Sequence, residues 1–141
     1  MTGTPHPLFD AVRSGVYQAP PAPGPLREAA LRAGLACFSV DLSRVDDKAR
    51  FLEACAAALG FPATFGRNWD ALADCLQDFS WRTAAGYLIH LRHGSAFART
   101  APNDYATAIE ILRESAAFWK QRGTPFVVLV DGAADLPSFA A

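Results

Sequence analysis

Three aspartates, Asp70, Asp74 and Asp78, recur at offsets of four within residues 68–81 of the chain. The apolar residues Trp69, Leu72, Leu76 and Phe79 fall between them at spacings of 3, 4 and 3. That interleaving predicts a helix from 69 to about 79, with one apolar face and a separate carboxylate stripe. No Lys or Arg within the helix neutralises the stripe; the nearest are Arg67 before it and Arg82 after it. Like charges at i, i+4 disfavour a helix by a few tenths of a kcal/mol per pair. The helix dipole favours Asp70 near the N-terminus and opposes Asp78 near the C-terminus. Such a stripe suits a docking face for something basic, although three aspartates of this kind, taken alone, are more often a solvated helix face. A metal site lacks His or further loop carboxylates at ligand spacing. Acid–base catalysis lacks a nearby His, Ser or Lys to complete it. Periodicity alone leaves the choice open.

The elements that must hold this helix are legible from punctuation. Residues 18–25 contain four of the ten prolines, which excludes a helix or central strand and reads as a semi-extended connector. Residues 8–17, before it, suit a small helix and an edge strand, and residues 26–32 a short helix ended by Gly34. From residue 35 the pattern becomes regular. Residues 36–42 alternate, with Phe38, Val40 and Leu42 on one side of a half-buried strand. Residues 47–59 read as a helix with Phe51, Leu52, Cys55 and Leu59 on one stripe, closed by Gly60 and Pro62. Residues 87–92 form a second strand. Residues 104–122 form the longest helix, and 126–130, Phe-Val-Val-Leu-Val, a continuous apolar strand. The order strand, helix, helix, strand, helix, strand predicts a small α/β domain with a three-stranded parallel sheet and right-handed crossovers. The domain spans 35–141, and residues 1–34 form an N-terminal extension.

Composition narrows the function classes. The 141 residues are 51% hydrophobic and 19% charged, which excludes a disordered chain and suits one globular domain. Thirteen basic against 14 acidic residues give a net charge of −1, without the basic excess of a nucleic-acid binder. No apolar run is long enough to span a membrane, and the first residues lack a secretory pattern. Cys37, Cys55 and Cys75 are odd in number and contain no CxxC pair, so a reduced, cytoplasmic setting is expected. Cys55 and Cys75 read as structural thiols. His90 and His93, three apart near a strand, point to opposite faces and do not form a metal pair. Neither metal nor cofactor is expected, and no nucleophile–base pair or Gly-rich phosphate loop suggests an enzyme.

Residues 65–76, Phe-Gly-Arg-Asn-Trp-Asp-Ala-Leu-Ala-Asp-Cys-Leu, resemble the signature that opens the second helix of the barstar family. The likeness extends in element order over about 35–130. It implies a barstar-like α/β fold and an intracellular, non-enzymatic inhibitor of microbial ribonucleases, of the immunity or antitoxin kind found in bacteria. In that family an acidic surface enters the cationic phosphate site of the nuclease, a carboxylate standing in for the substrate phosphate. By position, Asp70 and Asp74 match the inhibitory aspartates, with Asp74 central, and Glu114 matches a third acidic contact. Gly66 matches the loop glycine that lets the backbone approach the partner. The resemblance extends the expected surface to Thr64, Phe65, Arg67, Asn68, Ala73, Gln77 and Asp78. Thr64 and Ala73 replace large aromatics of the family pattern, so the target nuclease is expected to differ. Arg67 adds a positive charge beside the stripe. The expected partner is a ribonuclease or ribonuclease-type toxin with a basic active site, bound by a chain that is monomeric when free. A barstar-like interaction module with a non-nuclease partner is the alternative.

Overall fold

A computed structural model describes residues 7–139, so the reading of residues 1–6 as free of a leader lies outside the described residues. Two short 3-10 turns, Pro7–Phe9 and Ala11–Arg13, lead into strand β1, Gly15–Gln18. Helix α1 is Gly24–Arg32 and strand β2 Leu35–Asp41. Helices α2, Lys48–Leu59, and α3, Trp69–Leu76, follow. Then come β3, Gly86–Arg92, the short α4, Ser95–Thr100, α5, Pro102–Gln121, and β4, Phe126–Val130.

The sheet has four parallel strands in the order β1-β4-β3-β2, not the three expected from the sequence. All five residues of β4 are buried, the signature of a strand covered on both faces and paired on both edges. A three-stranded sheet would leave one edge of β4 unpaired. Gly15–Gln18 fills that edge in register with residues 127–130. The Ser14 hydroxyl accepts from the Phe126 N–H at 2.9 Å and so aligns the two strand starts. The outer edge of β1 is closed in turn, because the Gln18 N–H donates to the Pro137 carbonyl at 2.7 Å. Phe139 then packs against Phe9 and Tyr17 at 5.7 and 4.9 Å.

Alternation along the strands divides the core between the two faces. Tyr87, Ile89 and Leu91 of β3, with Phe126, Val128 and Val130 of β4, share a cluster with α2, α3 and α5. Leu88, Val127 and Leu129 point the other way, into a smaller cluster with Leu26, Ala29 and Ala30 of α1. Local signals set the helix ends. Asp47 caps α2 by accepting from the Arg50 N–H at 2.8 Å, and Gly60 ends it at φ 70°. Pro102 occupies the first turn of α5, where its missing N–H costs nothing, and Gly123 follows its end at φ 75°. None of the helices is long and apolar enough to cross a membrane, among the described residues.

Burial in α2 pushes the Cys55 thiol up from 9.0 to about 12. The unfolded chain ionises this thiol near its ordinary value while the folded chain holds it neutral. Its contribution to stability is therefore full below pH 9 and is lost as pH rises from 9 to about 12. Stability of the wild type against urea is expected to fall more steeply across that window than that of Cys55→Val. Parallel pH profiles would contradict the assignment.

Candidate functional site

Helix α3 starts where Asn68, in extended conformation, accepts from the Ala71 N–H at 2.7 Å. An Asn cap of this kind satisfies one of the orphan donors of the first turn. The loop before it is held by apolar contacts. The Phe65 N–H donates to the Pro62 carbonyl at 2.9 Å, and the Phe65 ring lies 4.9 Å from that of Phe61. Phe61 packs edge-on against Trp81, whose indole donates to the Leu59 carbonyl at 3.1 Å.

The helix ends at Leu76, earlier than the apolar spacing suggests. Phe79 leaves the helical path at φ 53°. A left-handed backbone costs a non-glycine residue on the order of 1–2 kcal/mol. Full burial of a phenylalanine side chain returns roughly 1.5–3 kcal/mol. Phe79 is 0% exposed and stacks on Tyr87 at 4.3 Å and on Phe38 at 5.7 Å, so ring burial outweighs the strained turn. Trp119 of α5 secures the same end, its indole N–H donating to the Leu76 carbonyl at 2.8 Å.

This frame leaves a shallow groove of about 240 Å³ between the loop and one face of α3. Of the residues expected from the sequence, Thr64, Phe65, Gly66, Asp74 and Asp78 line it together. Pro62, Ala71, Cys75 and Trp81 complete its walls without having been read as site residues. The signal for two of them was present: 71, 74, 75 and 78 recur at 3, 1 and 3, a single helix face. Asp70 is exposed in the first turn, and Glu114 is exposed on α5; neither lines this groove. Asn68 serves as the cap, and half-buried Gln77 sits at the C-terminal end, its N–H donating to the Ala73 carbonyl. Ala73 packs against the main core. The special backbone position in the loop is Arg67, at φ 55°, and not Gly66.

The charges are arranged unevenly. Arg67 pairs with Glu53 of α2 and not with the aspartates, its Nε lying 3.1 Å from the Glu53 carboxylate. Among the described residues, no ion pair engages Asp70, Asp74, Asp78 or Glu114. Asp78 accepts a hydrogen bond from the Ser80 hydroxyl at 3.0 Å. Cys75 is half-buried, not fully buried, and opens on the groove. Burial first, then the neighbouring carboxylates of Asp78 and Asp74, push its thiol above the ordinary value. It is thus less ready to form the thiolate than an ordinary cysteine. Among the described residues, no group of three or more His, Cys, Asp or Glu side chains is placed to hold a metal. The arrangement can accept hydrogen bonds from a cationic partner.

A family model described as "Barstar (barnase inhibitor)" matches residues 35–131, more than half of the chain. No curated protein matches it significantly.

Trp119→Phe keeps a ring against Tyr87, now 5.4 Å from the indole, and deletes only the donor to Leu76. The partly buried carbonyl left behind is expected to cost about 1–3 kcal/mol of unfolding free energy. Faster amide exchange at residues 77–79 would accompany it. Unchanged stability and exchange would show that this bond does not hold the end of α3.

Proposed function

Because the chain belongs to the barstar family, we propose that it binds and blocks the cationic active site of a cognate ribonuclease or ribonuclease-type toxin. The observation that carries this reading is a set of exposed carboxylates beside a formed groove, none of them in an ion pair among the described residues. Asp74 lies on the groove wall and makes the central contact, Asp70 enters from the first turn of α3, and Glu114 contributes from α5. Thr64, Phe65 and Gly66 approach through the loop, and Asp78 and Gln77 through the far end. In the free protein these carboxylates are hydrated; in the complex they exchange water for guanidinium and imidazolium donors inside a desolvated site.

Selectivity follows from what the surface lacks. With Thr64 and Ala73 in place of large aromatics, less apolar area is available to anchor the partner, so charge complementarity carries more of the recognition. The exposed pair of Arg67 with Glu53 favours this, since it offsets part of a charge that would repel a basic active site. Association is then electrostatically steered and slows as salt screens the charges.

Capture from the source lysate, followed by a ribonuclease assay after denaturing release, tests the proposal. Asp74→Asn should retain wild-type stability within about 0.5 kcal/mol, as an exposed substitution does. It should weaken inhibition of the captured enzyme by about 3–5 kcal/mol, as when one member of a desolvated ion pair is removed. The double variant Asp70→Asn, Asp74→Asn should retain no nuclease. A partner held equally by wild type and double variant would contradict the reading, and a partner without ribonuclease activity would favour a non-nuclease target.

A further inference from the structure

The face of the sheet opposite α3 carries a second concavity of about 240 Å³ with the reverse chemistry. Along β3 that face runs Leu88, His90, Arg92, apolar at the start and basic at the carboxyl end. Ser39 of β2 lies beside His90 in register, and Leu129 of β4 completes the floor. Pro23, Gly24 and Arg27, at the start of α1, form the opposing wall. The crevice outside the carboxyl ends of parallel strands is where open α/β sheets usually bind ligands. One wall of this one comes from residues that precede the family match, so it is a feature of this chain's own extension.

The carboxylates near the pocket are already engaged. Asp131 accepts from His90 Nε2 at 2.7 Å and from the His93 N–H at 3.2 Å. Asp41, opposite Arg92 in register, accepts from the Ser43 N–H at 2.9 Å, which lowers its pKa first, with smaller contributions from the charges of His93 and Arg92. Neither Arg27 nor Arg92 forms an ion pair among the described residues, although Arg92 touches the His93 ring at 3.4 Å. Two arginines that form no ion pair among the described residues therefore line one pocket with an apolar floor, on a chain whose net charge is −1. Guanidinium forks match phosphate oxygens in geometry and carry permanent charge. Pockets for drug-sized ligands hold about 300–1,000 Å³, so this one takes something smaller.

We propose that this pocket binds a compact phosphate monoester, its phosphate on Arg27 and Arg92 and its apolar body against Leu88 and Leu129. The site is separate from the acidic groove and does not rest on the inhibitor reading.

Titration of the ¹⁵N-labelled protein with phenyl phosphate, inorganic phosphate and benzoate tests it. Phenyl phosphate should saturably shift the amides of Gly24, Arg27, Leu88, His90 and Leu129. It should bind roughly tenfold or more tighter than inorganic phosphate, the gain expected from burying a ring. Benzoate, with one charge and no tetrahedral oxygens, should bind more weakly than phenyl phosphate; equal binding would overturn the phosphate assignment. Arg27→Gln, Arg92→Gln should keep the dispersed spectrum and lose the saturable shifts, and each single variant should lose part of the affinity. Arg44→Gln, Lys120→Gln, which alters exposed cations elsewhere, should bind as the wild type does. Shifts scattered over the surface, or equal losses in both double variants, would show non-specific attraction and overturn the site.

Discussion

The position of Phe79 governs the rest of the acidic surface. Its ring is buried between Tyr87 and Phe38 at the cost of a left-handed backbone. That choice stops α3 at Leu76, turns the chain and brings Trp81 back under the loop that precedes the helix. Trp119 adds a hydrogen bond to the Leu76 carbonyl, so α5 and the sheet both hold the same helix end. The loop depends on this end as well, because Phe65 rests on Phe61, and Phe61 on Trp81. The groove is thus built from its apolar side. Its carboxylates are exposed side chains on a backbone fixed by aromatic packing.

A near-neutral total charge conceals how the charges are distributed. Carboxylates that form no ion pair among the described residues collect around α3 on one face of the sheet. Arginines that form no ion pair among the described residues line a pocket on the other face. Between them lies an apolar sheet whose β4 is buried throughout. Each charge set therefore acts in its own surroundings, and a bulk property such as net charge describes neither surface.

The sequence made the period-driven elements legible. The alternation of β2, the continuous apolar run of β4 and the stripes of α2 and α5 all correspond to structure. The edge strand suggested within residues 8–17 is β1, but four residues are too few to show alternation and so to count it in the sheet, and its pairing was implied only by the fully apolar β4. The six-residue α4 is too short to complete two helical turns of pattern. Spacing overran the end of α3 because Phe79 continues the apolar period while its backbone leaves the helix, with no glycine to mark the turn. In the site, the twelve-residue motif located the loop and the aspartates. The partnership of Arg67 with Glu53 was not legible, since it joins two elements through a tertiary contact. The same holds for Arg27 and Arg92, far apart in the chain and brought to one pocket by the crossover between β1 and β2.

The central claim is that the loop and α3 form the face that enters a ribonuclease active site. Amide hydrogen exchange, measured on the chain alone and in complex with the ribonuclease it retains, tests this most directly. Protection should concentrate in residues 62–78, with a smaller effect on α5 around Glu114 and none over residues 23–27. Protection confined to β1 and α1, with residues 62–78 exchanging as in the free chain, would contradict the claim.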